Sequence, residues 1–142
     1  MAKKKDYTIH LFGNDQFPRR LWIVKNAPYS WIKERFKGID GNDIEEYDKS
    51  LSKAVTCPEI EHLGMSEYGI LIVILDNKLT VSDCAHEATH FVMELYRAMG
   101  DEVSLDNQEV FAYLVGWATD CIHQVITNKY KPTYDGSREL KD

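Results

Sequence analysis

Two histidines four residues apart, His86 and His90, bracket Glu87 in the pentapeptide HEATH. On an α-helix, positions i and i+4 differ by about 40° of rotation and about 6 Å of rise, so both imidazoles can close on one cation from the same face. Such a pair is half of a tetrahedral zinc site. Glu87 lies about 100° round from His86, where its carboxylate can reach a water on the metal without occupying a ligand position, as a general base must. The chemistry that this pattern suits is metal-assisted attack of water on a carbonyl. The bland alternative is a pair of solvated histidines and a solvated glutamate on an amphipathic helix.

A third protein ligand would leave one coordination position for water. Glu94 continues the same row, but about 12 Å along the axis from His86, too far to share its ion. Asp101 and Glu102 follow the helix and would have to fold back beneath it. Glu109, in the first turns of the next helix, is the better donor, provided the two helices cross so that its start comes near His90. Glu109, Tyr113, Gly116, Asp120 and His123 fall near one line at 100° per residue, and Gly116 on that line would let the backbones approach. Against this, Asp106 and Glu109 have capping-box spacing, which gives Glu109 a purely local role. Tyr113, one turn after Glu109, is a candidate oxyanion donor, and equally a core tyrosine. Cys84 points away from His86 round the helix, and His10 and His62 have no partners in sequence. A longer metal motif fails, because Met93 and Tyr96 stand where glycine and a third histidine would be needed.

The elements that position these residues follow from periodicity. Segments 7–12 and 20–25 are β-branched and aromatic and flank a Gly-Asn-Asp turn, predicting a hairpin. A short helix is predicted over 28–37, stopped by Gly38. Ile44, Tyr47, Leu51 and Val55 recur at helical spacing behind Asp43 and Glu46, predicting a second helix that ends by Pro58. Residues 59–68 have no clear period and are expected to form a loop. GILIVIL, 69–75, predicts a strand buried on both faces, with a brief strand at 79–81 after it. Ala85, Ala88, Val92, Leu95 and Met99 step by three and four, predicting a helix over 82–99 capped by Ser82 or Asp83 and ended by Gly100. This apolar stripe is separate from the histidines. Asp106 is the expected cap of a last helix running to about 127, and residues 1–6 and 129–142 are expected to be flexible tails of a single domain spanning 1–142.

HEATH on one helix followed by DNQEVFAYLVGW on the next resembles the gluzincin branch of the zincin metallopeptidases. It looks most like the small single-domain HExxH proteins of bacteriophages and prophages, over about residues 68–127. The resemblance implies an α+β fold, a minimal zincin-like domain in which a small β-sheet packs against the HExxH helix and a following C-terminal helix. It also implies one zinc ion held by His86, His90 and Glu109, with Glu87 as the base. The expected activity is a zinc-dependent peptidase in which Glu87 activates a metal-bound water against a peptide carbonyl. The competing reading is a catalytically idle zincin-like domain that serves as a phage or prophage interaction or structural protein.

Composition narrows the partners. With 142 residues, 44% hydrophobic and 28% charged, the chain suits one globular core. A formal net charge of -6 argues against a broad phosphate-binding surface, so nucleic acid is not expected. The longest apolar run is far short of the roughly 20 residues that span a bilayer, and MAKKKDYTIH lacks the apolar stretch of an export signal. A cytoplasmic protein with no membrane partner is expected, acting on a protein or peptide substrate. Cys57, Cys84 and Cys121 form no CxxC pair and are expected as reduced thiols.

Overall fold

The computed structural model describes residues 7–13, 17–48, 50–130 and 138–140. The fold is α+β. Strands β1 (Ile9–Phe12), β2 (Arg20–Lys25), β3 (Phe36–Gly38), β4 (Ala54–His62), β5 (Glu67–Ile74) and β6 (Arg138–Leu140) form one sheet in the order β3-β4-β5-β2-β1-β6. Helix α1 (Tyr29–Arg35) joins β2 to β3, and α2 (Val81–Met99) and α3 (Glu109–Thr127) follow β5. Among the described strands only β2 and β5 pair in parallel, with Trp22 opposite Leu71 and Val24 opposite Val73.

β5 carries the core because its alternation serves two faces at once. Ile70, Ile72 and Ile74 pack with Leu21 and Ile23 beneath Ala88, Phe91, Val92 and Leu95 of α2 and Leu114, Ile122 and Val125 of α3. Leu71 and Val73 face the other way, into a second cluster with Trp22, Val24, Trp31, Ile32 and Phe36. The expected doubly buried strand is therefore present, and its place between β4 and β2 makes it central. Gly69 begins the buried stretch where nothing larger fits. A Cβ there would lie 2.5 Å from the Arg20 carbonyl oxygen and 2.6 Å from the Trp22 ring.

The hairpin of β1 and β2 and the short helix α1 match expectation. The region between α1 and β5 does not. Residues 43–48 have no regular structure, and Ala54–His62 is a strand, not the end of a helix. Ile44 is buried in the second cluster, but Leu51 is 82% exposed, so the helical spacing of these residues does not mark one apolar face. Segment 59–68, expected as loop, supplies the end of β4, a turn and the start of β5. The brief strand at 79–81 is absent. Leu79 and Thr80 lead into α2, which begins at Val81.

Thr80 is the N-cap, in place of Ser82 or Asp83. Its hydroxyl accepts from the Asp83 amide at 3.1 Å, and the Asp83 carboxylate accepts from the Thr80 amide at 2.9 Å. Gly100 ends the helix in the left-handed region, φ 69°, as glycine readily does. The cap of α3 is Gln108, not the expected Asp106, and its side chain makes no capping bond, so the alternative capping box of Asp106 and Glu109 is not formed. At the other end of α3, Lys25 Nζ donates to the Val125 carbonyl at 2.9 Å and to Asn128 Oδ1 at 2.8 Å, fastening the helix to β2. Residues 138–140, expected within a tail, pair antiparallel with β1. The expected tail 1–6 lies outside the described residues. Among those described, no helix is long and apolar enough to cross a membrane.

Candidate metal centre

The capping box and the apolar stripe together fix the rotation of α2. Cys84, Ala88, Phe91, Val92 and Leu95 are buried toward the sheet and α3, which leaves His86, His90 and Met93 on the outer face. There the two imidazoles converge. Their Nε2 atoms are 3.2 Å apart, with ring centroids 4.8 Å apart and planes at 79°. Two nitrogens each about 2.0–2.1 Å from one zinc ion at a tetrahedral angle would be about 3.3 Å apart, so the pair has the spacing of two ligands on one ion. The pair sits in a shallow depression whose other walls are Ser82, Ala85, Thr89 and Met93. The Thr89 hydroxyl donates to the Ala85 carbonyl at 2.7 Å and is thereby committed to the helix.

Glu87 lies on a different flank of α2, against β4. It is 94% buried, at 6% exposure, and its Oε2 has no hydrogen-bond partner among the described residues. Burial pushes its carboxyl above the usual carboxylate range, while His86, His90 and the Thr56 hydroxyl pull it back. Thr56 also donates a long bond, 3.5 Å, to the Glu87 backbone carbonyl. Beside it Cys57, a free thiol, is pushed up to about 12, chiefly by burial and further by the charge of Glu87. Thr56 and Cys57 escaped sequence reasoning because their segment reads as helix. The β-branched pair Val55-Thr56 just before Pro58 was the available sign of a strand.

The remaining expected residues are elsewhere. α3 runs antiparallel to α2, with Phe111 against Tyr96 and Trp117 against Phe91. The start of α3 thus faces the end of α2, and Glu109 is exposed there. Among the described residues, no three His, Cys, Asp or Glu side chains gather as a metal-holding group, so Glu109 is not brought to the histidine pair. Among the described residues nothing lies within 4 Å of a Cβ placed on Gly116, so none of them makes a close backbone approach there. Tyr113 is 76% exposed and lines a groove between the helices with Val81, Cys84, Trp117 and His123, a lining that does not include His86 or His90. Glu94 is engaged by Arg97 at 3.2 Å. His10 and His62 are buried, the first stacked on Tyr130 and the second against Trp22 and Phe36.

The donor set suits zinc as far as it goes. Two exposed imidazoles with converging Nε2 atoms could fill two of four tetrahedral positions on a zinc ion, and a buried carboxyl stands on the adjoining flank. Comparison with protein-family models, curated proteins and solved structures finds no match to this chain.

Proposed function

We propose that this protein is a zinc-dependent hydrolase, with a peptide bond as its target, in which His86 and His90 hold the cation and Glu87 is the general base. The observation that carries the reading is the 3.2 Å approach of the two Nε2 atoms. The burial of Glu87 without a partner for Oε2 supports it, because an ordinary buried carboxylate finds hydrogen-bond donors. The resemblance of the HEATH segment to gluzincins, small phage-encoded ones above all, points the same way. A bound zinc ion would supply Lewis acidity, bringing a water's pKa down to about 7.

The chain's own groups do the rest. α2 orients both rings, and its packed stripe keeps them from turning inward. Glu87, whose proton affinity is raised by its surroundings, accepts a proton from the attacking water and returns it to the leaving amine. The Thr56 hydroxyl reaches Glu87 from the β4 side, bonding its carboxyl and lying 3.5 Å from its backbone carbonyl. Tyr113 and Glu109 have no part in this account, given where they lie.

A second reading is favoured by one observation, the lack of a third donor beside the pair among the described residues. On it, the domain is a catalytically idle metal-binding module, a phage or prophage interaction protein. Elemental analysis with peptide hydrolysis, on the parent and on Glu87→Gln, separates the two. Zinc in both with cleavage by the parent alone supports the hydrolase; zinc in both with cleavage by neither supports the module.

A further inference from the structure

We propose that the histidine pair is completed by a second copy of this chain, so that one divalent cation is shared by His86 and His90 of two molecules related by a two-fold axis. This inference rests on the metal-binding half of the function proposed above and adds a closed resting form of the same centre.

Three observations carry it. First, the site is half built: the pair offers two converging nitrogens, and the described residues bring no third His, Cys, Asp or Glu side chain to them. A borderline-soft ion such as zinc seeks four donors, and a second identical pair supplies two imidazoles of the same reach and softness. Second, the face around the pair admits close approach. Ser82, Ala85 and Thr89 are small, and Met93, 48% exposed, is an adaptable apolar cover. Third, no carboxylate on this face opposes contact with a second copy. The chain carries a formal net charge of -6, yet the depression has no carboxylate in its lining. Of the acidic groups on α2, Glu87 is buried away from this face, and the other two are paired, Asp83 with Lys53 at 3.4 Å and Glu94 with Arg97 at 3.2 Å.

An isologous contact follows, because two copies of one helix face meeting about a two-fold axis bring each pair opposite the other. A four-imidazole site is of the closed, structural kind, with no position for water. Hydrolysis would then belong to the separated chain, and the shared ion would hold the protein in reserve.

The test is sedimentation velocity with elemental analysis on the full chain, titrated with zinc chloride alone. The expected result is a doubling of mass as zinc reaches one ion per two chains, reversed by a chelator. His90→Asn, on an exposed position that leaves the core intact, should abolish both the bound zinc and the dimer while its thermal midpoint without metal matches the parent. Ala85→Arg places a charged bulk on the contact face and should bind zinc yet remain monomeric. Zinc bound at one ion per chain to a monomer overturns the shared site and leaves the hydrolase reading standing. A dimer that survives the chelator overturns the shared site as well. Failure of the parent to bind zinc overturns both.

Discussion

Two flanks of α2 treat neighbouring residues in opposite ways. His86 and His90 stand in solvent with each other as company, while Glu87 is buried against β4 with one oxygen lacking any partner among the described residues. The outer flank leaves its groups open to solvent, and the inner flank holds a polar group at a cost to folding. A helix that needed only to cover the sheet would carry an apolar residue where Glu87 lies. The difference teaches that the motif is divided between a wet side with two imidazoles and a dry side with one carboxyl group.

The strongest way to break the contrast is to empty the dry side. Phe91→Ala removes a buried ring that packs on Trp117, and it should lower stability by about 3–5 kcal/mol in urea unfolding. Met93→Ala on the wet side should change stability by less than about 0.5 kcal/mol. Equal losses would show that the two flanks are not distinct environments.

Glu87→Gln should raise stability by about 1–2 kcal/mol at pH 8, since a neutral amide is buried more cheaply than a carboxylate. A lower thermal midpoint in that variant would mean that the carboxylate is stabilising and that the inner flank is ordinary.

Cys57 sharpens the picture through pH. Its thiol holds its proton more tightly in the folded chain, up to about 12 against an ordinary 9.0. That contribution is therefore complete below about pH 9 and is lost as pH climbs toward 12, with roughly 1 kcal/mol gone by pH 10. Cys57→Ala should flatten the alkaline limb of the stability profile, measured by denaturant titration from pH 8 to 11. Burial raises Tyr47 to about 12 in the same sense, so some alkaline loss should persist in that variant.

The smallest effect concerns the start of the helix. Thr80→Ala deletes one half of the capping box and should cost about 1 kcal/mol, with the two histidines still binding zinc. Loss of zinc in this variant would mean that the end of α2 governs the ligand pair more closely than its stripe does.

What could be read from the residues depended on whether a single period governed them. α2 was legible because its apolar stripe, its glycine stop and HEATH agree on one helix, and β5 because seven consecutive apolar residues admit little else. Region 43–62 was not. Ile44 and Val55 imitate helical spacing, yet one anchors irregular backbone and the other lies in a strand. The alternation of β4 is broken by the register shift between Cys57 and Ile60, where Glu59 takes a positive φ of 51°. A bulge changes the phase of a two-residue period, so Val55 and Cys57 do not predict Ile60 and His62. The candidate site was legible in its local part, His86, Glu87 and His90. Its long-range part was not, because the placement of Glu109 and Tyr113 depends on how two helices pack. The antiparallel arrangement sets the start of α3 against the end of α2.

Gly69 has a consequence for that arrangement. With the Arg20 carbonyl and the Trp22 indole crowding its missing side chain, it works as an index mark between the two parallel strands. A slip of one residue would drive Tyr68 or Ile70 into the indole and turn Ile70, Ile72 and Ile74 away from the helices they support. The platform beneath HEATH is thus set to a single notch, and the aim of the two imidazoles inherits its tolerance from the absence of one methyl group.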